Sequence, residues 1–340
     1  QQRISNSTGH GNIMHDRLAD NTMNNASEPQ LASTVLMIRP AAFESNPLTA
    51  ASNRFQGRNT ASADEQQAAA MREFDALATA LRDAGVEVIV VDDTAEPHTP
   101  DSVFPNNWIS THADGRVVLY PMEAENRRSE RRADIVECLH SEHGRQVTEV
   151  IDLSGHENAG HFLEGTGSMV LDRSNRIAYA CLSTRTHLDP LGDFAQRLDY
   201  DVVAFEAVDR DGAPIYHTNV MMSIGDRVAV ICDGAIARDD QREAVLSRLR
   251  ETGHAVVSLD YAQLEAFAGN MLELVSTSGE RVLAMSRQAY DALDEEQRAA
   301  LARGRRIVSV PIDNIESAAG GSVRCMLAEI HLPAAGERTE

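Results

Sequence analysis

An internal repeat constrains this chain more than any other feature. Four hairpin-like segments line up: FPNNWISTHADGRVVLYP, FLEGTGSMVLDRSNRIAYACL, HTNVMMSIGDRVAVICD and NMLELVSTSGERVLAMS. Each has a first strand, a polar turn rich in Asp, Gly, Ser and Asn, an Arg, and an apolar second strand. Behind each comes a helix-like stretch and one more β-rich run: VTEVIDL, DVVAFEA, AVVSLDY and RIVSVPI. The unit is therefore ββαβ, recurring about every 55 residues. One such unit cannot bury its own apolar faces, so the copies must pack on one another.

A fifth copy is divided between the two ends. VRCMLAEIHLP is a first strand with no helix after it, while TVLMIRP, the helical spacing from Ala63 to Gly85 and the run VEVIVVD supply what is missing. Five units around a pseudo-axis, first strands innermost, predict an α/β fold of five pseudo-symmetric blades, an α/β propeller, in a single domain over residues 34–340. A doubly wound sheet is the alternative, and strands arriving in hairpin pairs count against it. Residues 1–33 are rich in Asn, Ser, Gly and Gln with little apolar content, which predicts a flexible tail.

The formal net charge of −21 disfavours nucleic acid and anionic membrane surfaces as partners and leaves a small amino-acid substrate as the expectation. A homodimer is compatible with this composition. Four cysteines, at 138, 181, 232 and 325, are widely spaced without a CxxC pair, so neither a metal site nor a disulfide framework is expected, and a reducing cytoplasm fits best. No apolar run approaches the roughly 20 residues that cross a bilayer, and the first residues lack the layout of a secretory signal. No cofactor is expected either, since no Gly-rich phosphate loop follows a strand.

Within the repeat, one polar residue recurs at the same phase of each first strand: Asn107, Glu164, His217, Asn270 and Cys325, at intervals of 53 to 57 residues. Equivalent positions in a closed ring face a common centre, so these five should meet. A cysteine sulfur is a strong nucleophile towards an sp² carbon bearing nitrogens, and an imidazole can move the protons such a reaction needs. Glu164 can accept hydrogen bonds from the N–H groups of a guanidino or ureido function. Gly320 and Gly321, just before Cys325, allow close backbone approach beside the nucleophile.

Taken in order, the motifs FPNN, FLEG, HTN and GGSVRC resemble those of the pentein superfamily of guanidino-group-modifying enzymes, from about Thr34 to Pro333, and most resemble its citrulline-utilisation hydrolase branch. The resemblance implies Cys325 as nucleophile, His217 as acid/base and Glu164 as the anchor of the planar group. STRT at 183–186 resembles the family's substrate-carboxylate segment, which implies that role for Arg185. Arg128, in ENRRSERR, is a candidate to share that carboxylate, and Asn46 and Asn53, in an N-terminal loop expected to cover the site, are candidates for the substrate's polar ends. Trp108 and the other three cysteines are expected in the core.

Where the family usually carries carboxylates, this chain has Asn107 and Asn219. An amide supplies no full countercharge, yet it can donate to and accept from a neutral ureido group. The expected reaction is thus hydrolysis of citrulline to ornithine, carbon dioxide and ammonia through a covalent cysteine adduct. The resemblance also implies that an Asn at the first position marks relatives hydrolysing through to ornithine. The alternatives are an arginine deiminase or arginine dihydrolase on the same scaffold, or a non-catalytic pentein binding module, which would not require Cys325, His217 and Glu164 together.

Overall fold

The computed structural model describes residues 28–57 and 61–336. Its strands are β1 (Thr34–Arg39), β2 (Glu87–Asp92), β3 (Ile109–Thr111), β4 (Arg116–Leu119), β5 (Glu149–Asp152), β6 (Val170–Asp172), β7 (Ile177–Cys181), β8 (Asp201–Phe205), β9 (Met222–Ile224), β10 (Val228–Ile231), β11 (Ala255–Ser258), β12 (Leu272–Val275), β13 (Arg281–Ser286), β14 (Arg306–Val310) and β15 (Ala328–Glu329). They form five three-stranded sheets of mixed direction. In four, consecutive strands pair as the repeat predicts: β3, β6, β9 and β12 lie antiparallel to the next strand, which lies parallel to the third. The fifth joins the chain's two ends, with β15 antiparallel to β1 and β1 parallel to β2.

Each parallel crossover carries a helix, as parallel pairing demands. The longest, Ala63–Asp83, starts at a capping box in which Ser62 accepts from the Glu65 amide and Glu65 accepts from the Ser62 amide, an arrangement worth about 1 kcal/mol. Its buried stripe of Ala70, Phe74, Leu77 and Leu81 follows helical spacing and packs with Val35 and Met37 of β1. Gly85, at φ +80°, ends the turn after it. Trp108 is buried among Leu36, Ile109 and Ile330, and Cys181 and Cys232 lie in the core, as expected. Cys138 does not: it sits partly exposed on the helix Ala133–Ser141.

The expected tail needs a correction at its end. Residues 1–27 lie outside the described residues, but Glu28, Gln30 and Ala32 are buried. A segment poor in apolar residues is held here by polar contacts, which hydropathy does not register. Among the described residues no helix is long and apolar enough to cross a membrane.

Candidate active site

The five phase-matched residues converge, although none sits within a strand. Asn107 ends the turn Pro105–Asn107, Glu164 precedes the turn Gly165–Ser168, His217 precedes Thr218–Met221, Asn270 stands two residues before β12, and Cys325 lies in the turn Val323–Met326. The repeat gave the phase correctly, but a short turn, not the strand, aims each side chain. Packing these turns together requires small residues. A Cβ on Gly167 would run into the side chains of Asn107 and His217, and Gly165, at φ +47°, sits against the backbone of Asn106 and Asn107.

Cys325 is buried, and its Sγ receives two amide donors, Nδ2 of Asn270 at 3.3 Å and Nδ2 of Asn219 at 3.4 Å. The two amides hold the sulfur in a fixed position. Asn270 also gives a hydrogen bond to the Asn219 carbonyl at 2.9 Å and accepts from the Arg324 amide at 3.0 Å. Asn270, expected among the substrate-binding groups, has both ends of its amide occupied, the donor end shared between the Asn219 carbonyl and the Cys325 sulfur.

His217 Nε2 lies 2.8 Å from Glu164 Oε2. Burial pushes the imidazole's pKa below its usual 6.5, outweighing the hydrogen bond and charge of Glu164, which raise it. His217 is therefore neutral at pH 7 and can take up a proton. Burial also raises Glu164, but Arg185, the His217 hydrogen bond and Arg127 together outweigh it and hold the carboxyl well below its usual range. With His217 acting as base, kcat/KM should fall as pH drops through that lowered pKa. A pH–rate profile should place the acidic limb below 6.5; a limb centred above that value would exclude His217 as its source.

Arg185 is buried, 3.4 Å from Glu164 Oε2 and 3.2 Å from Glu123 Oε2, with its guanidinium 4.9 Å from the centroid of Tyr216. It also donates to the Thr49 carbonyl at 3.1 Å and to Ser52 Oγ at 2.8 Å, which ties the N-terminal loop over the site. Asn46 and Asn53 serve that loop rather than its interior. Asn46 donates to Asp101 and Asn126 and accepts from Leu48 and Asn126, which saturates its amide. Asn53 is fixed to the carbonyls of Ala319 and Gly320 and accepts from the Phe55 amide.

Of the arginines in ENRRSERR, Arg127 is the one at the centre. It donates to Asn107 Oδ1 at 3.0 Å, grips Glu130 through two bonds of 2.9 Å, and lies 3.8 Å from both Asp101 and Glu164. Arg128 stands at the rim, partly exposed, donating to the carbonyls of Met122 and Glu123, 3.4 Å from Glu157 and 5.9 Å from the centroid of Phe162. Reading the sequence missed Asp101, Glu130, Glu123 and Tyr216. Only their nearness to the repeated motifs could have drawn attention to them. Burial pushes the carboxyls of Asp101 and Glu130 up despite Arg127, Glu130 to about 7. Tyr216 donates to the Gly320 carbonyl at 2.5 Å and stacks at a tilt on His217.

Among the described residues no cluster of His, Cys, Asp and Glu could hold a metal ion. The chemistry on offer is that of a buried sulfur nucleophile, a neutral imidazole backed by a carboxylate, and a lining rich in acceptors.

Solved structures share this architecture. Apo ArgZ, an arginine dihydrolase from the ornithine–ammonia cycle in cyanobacteria, matches with a TM-score of 0.68 at 19% identity over 88% of this chain and 41% of that one. AgrE in a ternary complex with ornithine and NAD+ matches with a TM-score of 0.68 at 21% identity over 88% of this chain and 39% of that one. A dimethylarginine dimethylaminohydrolase matches with a TM-score of 0.58 at 15% identity over 88% of this chain and 100% of that one. The chain thus spans about two fifths of ArgZ and AgrE, but 88% of it covers 99% of the separately solved N-terminal domain of ArgZ. No curated protein gives a significant sequence match.

Five small three-stranded sheets, with a cysteine, a histidine and a glutamate on the turns that lead into their first strands, define a protein of the pentein fold. Within it, the chain belongs to the family described as N,N dimethylarginine dimethylhydrolase, eukaryotic, whose sequence model matches residues 39–332.

Proposed function

We propose that the chain is a cysteine-dependent hydrolase of a guanidino amino acid, with arginine as substrate and ornithine, carbon dioxide and two molecules of ammonia as products. The observation that carries this reading is a surplus of buried acid. Three buried carboxyls, Asp101, Glu130 and Glu164, together with the partly exposed Glu123, surround two guanidinium groups, those of Arg127 and Arg185. Burial raises the carboxyls of Asp101 and Glu130 despite Arg127, and a lining so rich in acid favours a substrate that brings a positive charge. Asn219 Oδ1 is a buried acceptor without a partner, which also suits a guanidinium, a group with five N–H donors and no acceptor. The amides Asn107 and Asn219, weighed alone, pointed to neutral citrulline; the wider lining favours arginine. The arginine and ornithine named in the ArgZ and AgrE structures agree with it.

In this mechanism Glu164 and Asn219 hold the guanidino N–H groups while Cys325 Sγ attacks the central carbon. One C–N bond breaks, its nitrogen leaving as ammonia after protonation. Water, deprotonated by neutral His217, adds to the sulfur-bound carbon; a second cleavage releases the amine of ornithine, and hydrolysis of the carbon–sulfur bond yields carbamate, which falls to carbon dioxide and ammonia. Two waters are consumed per arginine. Arg185 takes the substrate carboxylate in exchange for Glu123, with Arg128 beside it at the rim. We place the five sheets in a ring about this centre, the blade arrangement expected from the repeat; the packing of β15 on β3, β6 on β9 and β9 on β12 supports it.

The family description favours a second reading, release of dimethylamine from dimethylarginine. Incubation with arginine, citrulline and dimethylarginine, assayed for ornithine, citrulline, ammonia and dimethylamine, separates the cases. Ornithine from arginine with two ammonia per turnover is the expected result. Accumulation of citrulline would mark a deiminase, dimethylamine would favour the family's substrate, and turnover of citrulline alone would overturn the argument from buried acid.

A further inference from the structure

The inner strands run away from the site, and the segment Glu28–Ser33 crosses their far ends. Gln30 Nε2 donates to the carbonyls of Leu171 at 3.1 Å and Ile224 at 3.2 Å, and Gln30 Oε1 accepts from the Arg173 amide at 2.7 Å. The Ala113 amide donates to Glu28 at 3.3 Å, and the Val275 amide to the Ala32 carbonyl at 3.0 Å. This segment therefore touches the ends of β3, β6, β9 and β12, and it lies before the residues matched by the family.

From it a ladder of buried charges leads back towards the nucleophile. Glu28 pairs with Arg173 Nη1 at 2.8 Å and accepts from the Tyr200 hydroxyl at 2.8 Å; Arg173 Nε lies 3.5 Å from Glu329, and Glu329 accepts from Arg324 Nη2 at 2.7 Å. His112 and His331 flank it, 3.4 Å from Glu28 and Glu329 respectively. Arg324 precedes the nucleophile, and its amide holds Asn270, the residue whose Nδ2 reaches Sγ. The alternation of sign is complete only with Glu28. Without it, Arg173 must draw on Glu329 alone, and Glu329 is the partner that fixes Arg324.

We propose that Glu28 is a positioning residue for Cys325, acting through Arg173, Glu329 and Arg324 on the Asn270 hydrogen bond to sulfur. This goes beyond the assignment of Cys325 as nucleophile and does not depend on which substrate is turned over.

The test compares Glu28→Gln, Glu28→Asp and Gln30→Ala in the full chain. The alkylation rate of Cys325 by iodoacetamide, followed by mass spectrometry of its peptide, is measured alongside kcat, KM and the thermal midpoint. Glu28→Gln should slow both alkylation and kcat by about tenfold with KM little changed. Glu28→Asp, keeping the charge, should recover most of the loss. Gln30→Ala should lower the thermal midpoint while leaving Cys325 as reactive as before. Wild-type alkylation in Glu28→Gln, or equal slowing in Gln30→Ala, would overturn the proposal. Should Glu28→Gln fail to fold, Arg324→Lys, which keeps the charge but loses the fork between Leu327 O and Glu329, should show the same slowing, and its absence would be equally fatal. Because alkylation needs no substrate, failure here is distinct from failure to turn over arginine.

Discussion

Replacing Cys325 with alanine should lower turnover by at least about 10⁵-fold while leaving the fold intact. The sulfur is the atom on which Asn219 and Asn270 converge, and no second thiol can substitute, since Cys181 and Cys232 belong to the core and Cys138 to an outer helix. Loss of one buried sulfur costs about 1 kcal/mol of stability. A near-normal thermal midpoint with no product is the signature to look for. Residual turnover above about one hundredth of wild type would place the nucleophile elsewhere.

Glu164→Gln should have the next largest effect, about a thousandfold in kcat. The substitution keeps the shape and removes the charge that faces His217 at 2.8 Å, Arg185 at 3.4 Å and Arg127 at 3.8 Å. Two consequences follow from the sign of each interaction. Glu164 raises the pKa of His217 against burial, so its loss should lower that pKa further and leave an imidazole too weakly basic to hold a proton during the reaction. Arg185 and Arg127 lose a buried counterion, which should cost about 3–5 kcal/mol of stability and show as a lower midpoint in urea. The nucleophile should persist, so Cys325 in Glu164→Gln should still be alkylated. If turnover survives with only a modest rise in KM, Glu164 binds substrate without supporting the histidine.

Much of this arrangement was legible because it repeats. The ββαβ order, the fifth unit divided between the ends and the phase of Asn107, Glu164, His217, Asn270 and Cys325 all follow from periodicity, which survives in sequence whenever each copy must bury the same faces. The helix from Ala63 was legible from its apolar stripe and from Gly85 after it. Roles within the site were harder to read, because hydrogen bonds are shared out in space. Asn46 and Asn270 carry the right groups, but both are saturated by neighbours distant in sequence, such as Asp101 and Arg324. Arg127 and Arg128 are adjacent, and only the geometry of the turn Glu125–Glu130 decides which one is buried. Glu28 was hidden for a related reason: in a polar segment it looks like solvated tail, and its partner Arg173 lies in a hairpin turn where an exposed Arg would be ordinary.

The sheet that joins β15 to β1 pairs Val35 with Glu329 and Leu36 with Ala328, across almost the whole sequence. During synthesis β1 and β2 can meet early, but the remaining edge of β1 has no partner until the segment carrying β15 leaves the ribosome. Cys325, the proposed nucleophile, travels with that late strand. A chain not yet extended through β15 therefore lacks Cys325 at the site, and its open strand edge invites capture by chaperones or by other chains. Closing that sheet and bringing Cys325 to its amide donors are the same event.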